Sequence, residues 1–394
     1  MDLTPHPLVV RARRLAADLL APEAERVDQE GVPRSHIEAV KRSGLLGVTA
    51  PADHGGAGAP PAVAREVAEI LAGACGATWF VQTQHHTPVQ TLARGEHAAR
   101  ERLLGPLSRG ELLSGVAYAH LRAYPRRPVR VRPERGGWRF DGTVPWYTGW
   151  GLNDVMLLAG VTDSGEALFA FAEAREQPGL RASEPMRLAA LTAARTVSLE
   201  LDGLWLPAEA VALRTPYDRW AAGDRVRTLH TSPAVFGVAE AALSLLDTGT
   251  AAPLHARLAG IRRRAYELAD ESPPKGWTGR PATAMRARGG GAESEAGAVD
   301  AWAGERLAVR AEAYELLRTA TTAAVVAGGG RAMALTGRAQ RHAREGLFLL
   351  VQGQTAESRE AHLRALSGAP ADTAREAHLR ALSGAPADTG GRNT

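Results

Sequence analysis

The hydrophobic period of this chain changes twice, and those two changes limit the folds open to it. Up to about residue 113 apolar residues recur three and four apart. Leu8, Leu15 and Leu19 share one helical face, and Ile37 and Val40 share another. Pro33-Arg-Ser35 reads as a helix start with Ser35 as the cap, and Ala50 to Pro60 as a Gly/Pro loop. From Ser114 short apolar runs alternate with turn residues, as in GVAYAHL, DVMLLAGVT and RTVSLELDGLWLP. That is the pattern of an antiparallel sheet with loops of a few residues. Near Val226 helical spacing returns, with helices expected over 232–249, 254–271, 302–327 and 338–352. The expected class is therefore α+β: a helical domain over 1–113, a β domain over 114–215, a helical bundle over 216–357 and a tail over 358–394.

Charge and cysteine content narrow the function classes. The chain has 47 basic and 43 acidic residues among 394, a net of +4. Nearly every basic residue is Arg, since only Lys41 and Lys275 are Lys. They lie scattered, without the one-sided stripe or recognition motif of a nucleic-acid binder. Cys75 is the only cysteine, so no intrachain disulfide can form, which fits a reducing cytoplasm. The first 20 residues lack an apolar core long enough for a signal peptide. No run of about 18 uncharged apolar residues occurs, so no membrane span is expected. His85 and His86 are adjacent, about 100° apart on a helix, and no other His or Cys stands at ligand spacing; no metal site is expected.

Two segments read as poorly structured. Pro273 to Gly297 is rich in Gly and Pro and reads as a long loop. In the tail, Arg359 to Thr373 recurs unchanged as Arg375 to Thr389, a period of 16 residues. Two such short units cannot build a stacked core. The first reads as a terminal helix and the second as an extension of it. Gly328 to Gly330 reads as a turn between helices, because no Lys-Ser/Thr follows as in a phosphate-cradling loop.

The richest segment is Trp138 to Gly160, WRFDGTVPWYTGWGLNDVMLLAG. Two apolar runs flank a Pro-Trp-Tyr-Thr-Gly-Trp turn, so an aromatic loop is expected between strands. An indole beside a hydroxyl at a strand end makes a wall for a flat heteroaromatic ring. Gly142, Trp146, Thr148 and Asp154 resemble the flavin-contacting strand of the acyl-CoA dehydrogenase family. Further elements resemble that family in order: Gly44-Leu-Leu-Gly47 with Pro51 and Gly55-Gly56-Ala-Gly58, Leu199-Glu-Leu-Asp202 with Pro207, and Gly237-Val-Ala239-Glu-Ala-Ala242-Leu243. Gly329-Gly330, Arg344-Glu345 and Thr355 fall at the family's intervals without a gap. The resemblance implies an N-terminal helical domain, a middle antiparallel β domain and a C-terminal four-helix bundle. It implies a homodimer or homotetramer with FAD at a subunit interface, Trp146, Thr148 and Thr355 as cofactor contacts, and an acyl-CoA or carrier-bound substrate.

Several family marks are missing. The usual catalytic Glu falls at Gly353, between Gln352 and Gln354, and none of these takes a proton. The alternative site upstream of Gly237 holds Arg227, with Asp224 nearby. Asp224 and Glu357 read as solvated surface acids. The Thr-Glu-Pro…Gly-Ser-Asp flavin loop is replaced by Ala117-Tyr-Ala-His120-Leu-Arg122 and Tyr124-Pro125-Arg126-Arg127. An Arg-x-x-Phe-Gly element is not legible around Arg257 and Gly260, and Val326 stands where a Gln is usual. His86, after Trp79, fits the hydroxylase branch of the family, where a His faces the flavin. The weak catalytic candidates are thus His86 and Asp224. The expected activity is FAD-dependent oxidation of an acyl thioester; the alternatives are reduced-flavin monooxygenation, which needs no α-proton base, and a non-redox thioester-binding protein.

Overall fold

The computed structural model describes residues 5–95, 98–275, 277 and 293–368. Seven helices come first: α1 (Pro7–Leu15), α2 (Ala21–Glu30), α3 (Arg34–Ser43), α4 (Pro61–Ala74), α5 (Gly76–Thr83), α6 (His86–Arg94) and α7 (Ala98–Ser108). A short π-helical turn joins α1 to α2. In α3 the expected Ile37 and Val40 are buried, whereas of Leu8, Leu15 and Leu19 only Leu8 is buried and the other two are half-buried; Val9 and Ala12 complete the inner face of α1. Gly44 ends α3 in the left-handed conformation that glycine tolerates.

Eight strands follow: β1 (Ser114–Ala117), β2 (Val129–Glu134), β3 (Gly137–Tyr147), β4 (Val155–Thr162), β5 (Glu166–Glu173), β6 (Leu180–Ala182), β7 (Val197–Pro207) and β8 (Val211–Pro216). They form one sheet in the order β6-β7-β3-β2-β4-β5-β8, with β1 beside β4. The sheet is mixed rather than wholly antiparallel, because β4 takes both β1 and β2 in parallel. Pro145-Trp146-Tyr147 is strand and not turn; the chain turns only after Thr148. Gly142 has φ of 129° and a Cβ there would lie 1.9 Å from the Pro128 carbonyl oxygen, so that strand position takes no side chain.

Helices resume at Tyr217, earlier than the periodicity indicates: α8 (Tyr217–Leu229), α9 (Pro233–Leu243), α10 (Thr248–Asp270), α11 (Glu293–Gly328), α12 (Arg338–Val351) and α13 (Ala356–Ser367). The end of the long loop expected over 273–297 is helix from Glu293; its centre lies outside the described residues. Glycine at 237 lets α9 lie against α4, since a Cβ there would stand 2.1 Å from the Glu69 carbonyl oxygen. The first tail copy forms most of α13; the second lies outside the described residues. Among the described residues no helix is long and apolar enough to cross a membrane.

Candidate functional site

Where the sheet meets the C-terminal helices the structure opens a cleft of about 1110 Å³. That is the size of a cofactor pocket. Its walls come from Phe80 of α5, a 3-10 turn over Ala119–Ala123, the end of β3, the Leu188–Ala190 loop, α8, and the chain from Leu347 through Arg359. Phe80 meets Phe348 edge to face at 4.6 Å, closing one wall with two rings.

Trp146, Thr148 and Thr355 all line this cleft. The Trp146 indole is 54% exposed, unusual for so large an apolar side chain. Thr148 is buried and its hydroxyl pairs with that of Thr196 at 3.1 Å. Asn153 fixes this strand end by donating to the Tyr147 hydroxyl (2.8 Å) and the Thr148 carbonyl (2.9 Å). Thr355 is the N-cap of α13, its hydroxyl accepting from the Ser358 amide in a reciprocal capping box. Asp154 lies elsewhere: it accepts from Lys41 Nζ (2.8 Å) and from the Leu113 amide (2.7 Å), tying α3 to the start of β1.

The two acids at the cleft are not solvated surface groups. Asp224 is 5% exposed and holds Arg122 in a two-pronged pair, Nε to Oδ2 at 2.7 Å and Nη2 to Oδ1 at 2.9 Å. Arg227 adds a contact to Oδ1 at 3.3 Å. Glu357 is bound the same way by Arg225, at 2.7 and 2.6 Å, and Arg225 in turn lies over the Trp277 ring. Burial explains the Asp224 pairing, because a carboxylate taken out of water needs a counter-charge and donors, whereas Glu357 is half-buried. Gly353 lines the cleft with φ of 61°, so the place of the family's Glu is filled by left-handed backbone.

His86 does not line the cleft. Its ring is packed by the Leu46 backbone, and burial pushes its pKa down to about 4. His85 is fully buried; its Nε2–H donates to the Leu107 carbonyl (3.1 Å) and Nδ1 accepts from the Ser114 amide (3.1 Å). Burial lowers its pKa to about 3, so it is a neutral strut between helices and sheet. Among the described residues no three His, Cys, Asp or Glu could hold a metal.

Sequence reasoning missed the 3-10 turn that replaces the flavin loop. It carries four cleft residues, Ala119, His120, Arg122 and Ala123, of which His120 and Arg122 are polar. His120 is buried, donates from Nε2 to the Ala159 carbonyl at 2.9 Å, and has its pKa lowered to about 4 by burial. It is neutral near pH 7, and its Nδ1 has no partner among the described residues. The signal for both residues is the lost motif itself, in whose place Ala117-Tyr-Ala-His120-Leu-Arg122 stands.

These residues fit the ring end of a flavin. A half-exposed indole offers a stacking face beside the buried Thr148 hydroxyl. Towards a phosphate, Arg122 and Arg225 could offer only donor edges not turned to Asp224 and Glu357.

Residues 7–111 match the acyl-CoA dehydrogenase N-terminal domain. A segment of 151 residues is 28% identical to 3-sulfinopropanoyl-CoA desulfinase of Paraburkholderia xenovorans strain LB400; it spans 36% of this chain and 38% of that relative. The solved structure of butyryl-CoA dehydrogenase from Megasphaera elsdenii superposes with a TM-score of 0.72 at 17% identity, over 93% of this chain and 100% of that one. Dibenzothiophene monooxygenase from Paenibacillus sp. A11-2 superposes with a TM-score of 0.68 at 16% identity, over 92% and 98%.

Proposed function

We propose that this chain, which has the acyl-CoA dehydrogenase fold and that family's N-terminal domain, is an FAD-dependent enzyme whose reaction does not depend on a carboxylate removing an α-proton. When bound, the flavin supplies the redox chemistry. Trp146 stacks against the ring, Thr148 and Thr355 contact it, and Phe80 with Phe348 keeps water from one side.

The observation that carries this reading is the state of the two cleft acids. Each oxygen of Asp224 and of Glu357 already accepts from a guanidinium. A general base must reach its proton with a free lone pair at hydrogen-bond distance. Each acid is held in a guanidinium fork that takes a lone pair of each oxygen and fixes the direction of the rest, and Gly353 offers none at all. Desaturation of an acyl thioester needs such a base; transfer of oxygen by a reduced flavin does not. The same arrangement favours monooxygenation over desaturation, with a small apolar molecule or an acyl thioester as substrate.

Copies of the chain pair through the apolar side chains exposed on α11, α12 and the turn between them, among them Val326, Met333, Leu335, Leu347 and Val351. Sedimentation of the protein would contradict this by giving only the 41.6 kDa monomer.

Titration of the purified protein with FAD tests the cofactor. One flavin per chain, with its fluorescence quenched and thermal stability raised, is expected. A colourless protein with no thermal shift in excess FAD overturns the reading and leaves a non-redox binding protein.

A further inference from the structure

Arg122 is doubly unusual among the cleft residues. Its Nε and Nη2 are spent on Asp224, which is itself buried and also touched by Arg227. The guanidinium is therefore fixed in direction by a two-pronged pair. Its side chain is still 30% exposed and it lines the cleft. Nη1 donates to no group among the described residues, and Arg122 as a whole is exposed. A fixed guanidinium thus leaves one donor edge accessible from the cleft.

The charge around it points the same way. Arg122 and Arg227 share the single carboxylate of Asp224, leaving one positive charge over. Arg225 and Glu357 cancel. Arg359 lines the cleft with no partner among the described residues. A mainly apolar cleft with surplus positive charge and a fixed guanidinium edge suits an oxyanion carried on an apolar or aromatic body.

The geometry points to Arg122 as an oxyanion-binding residue: its Nη1 edge takes a carboxylate-like or phosphate oxygen of the molecule in the cleft. Asp224 is the residue that positions it. Two molecules bear such a group, an acidic substrate and the diphosphate of FAD. The inference deepens the flavin reading by assigning a ligand chemistry to the replaced loop, and it survives in its substrate form even if FAD does not bind.

The test uses the full chain and two matched pairs of probes followed by calorimetry: hexanoate against hexanamide, and FAD against riboflavin. In one of the pairs the anionic member should bind at least about tenfold tighter, the scale of a charge-assisted hydrogen bond. Arg122→Gln should close that gap and leave the neutral member unchanged. Arg122→Lys, which keeps the charge and the pair with Asp224 but loses the planar fork, should fall between. A gap in the first pair assigns the site to an acidic substrate, and a gap in the second assigns it to the diphosphate. Equal binding within both pairs by the unaltered protein overturns the inference, whatever the variants do. So does an Arg122→Lys or Arg122→Gln chain that weakens both members of a pair alike. Riboflavin binding reports separately on the flavin reading.

Discussion

Replacing Glu345 by Gln should loosen the wall of the cleft from behind. Glu345 on α12 is 3% exposed and accepts from Arg341 Nη1 (2.8 Å), His342 Nδ1 (2.9 Å) and the Gly76 amide (3.1 Å) at the start of α5. It thereby joins the helices that carry Phe348 and Phe80 into the cleft. Burial alone would raise its pKa, but the Arg341 guanidinium and the His342 ring override that and hold it below the usual carboxylate range. A Gln side chain keeps one acceptor, presents an amide to buried donors, and strands the Arg341 charge. Breaking a buried pair from one side costs about 3–5 kcal/mol. Arg341 retains Glu25 at 3.3 Å, which puts the cost near the lower end, about 3 kcal/mol. For a chain this long that is a fall in melting temperature of about 4 °C. The sign with pH follows from the depressed pKa. The stabilisation is complete above the unfolded pKa of roughly 4.3 and is lost as pH falls through the lower folded value. Thermal melts monitored by circular dichroism should therefore show the variant below the parent at pH 7, with the gap narrowing below about pH 4. Equal melting temperatures at pH 7, or a gap that widens in acid, would refute the reasoning.

Two further outcomes are expected. Trp146→Ala removes a stacking face: an indole covers roughly 150–250 Å² when buried, and about half of that is open here, so a ligand covering half of the open part gains about 1–2 kcal/mol. FAD should bind about 5- to 30-fold more weakly in a fluorescence titration, with melting temperature unchanged; equal affinity would remove the indole from the site. Gly237→Ala forces a Cβ into the α4 backbone and should destabilise by at least about 2 kcal/mol, seen as a lowered melting temperature, whereas Gly223→Ala, with open space around it, should not.

The order of helix, sheet and helix was legible because periods of 3.6 and 2 follow from backbone geometry alone. Helix α8 was not, because its buried positions include Trp220, Asp224 and Thr228, and polar residues on the inner face erase the amphipathic pattern. Asp224 looked like a surface acid because its partner Arg122 lies 102 residues away, and only folding brings them together. The parallel pairings of β4 were hidden for a similar reason: alternation reports which face is buried, not which strand lies alongside. His86 looked suited to the flavin from its place in the sequence, but the turn after α5 directs its ring to the Leu46 backbone.

The account rests on a cleft that takes a flavin and in which, among the described residues, every carboxylate is held by a guanidinium. An anaerobic titration of the FAD-loaded protein with straight-chain acyl-CoA esters addresses this directly. The 450 nm flavin band should persist with every ester, disappear with dithionite, and return with oxygen. Prompt bleaching by any acyl-CoA would mean that a base is at work, and would contradict the account.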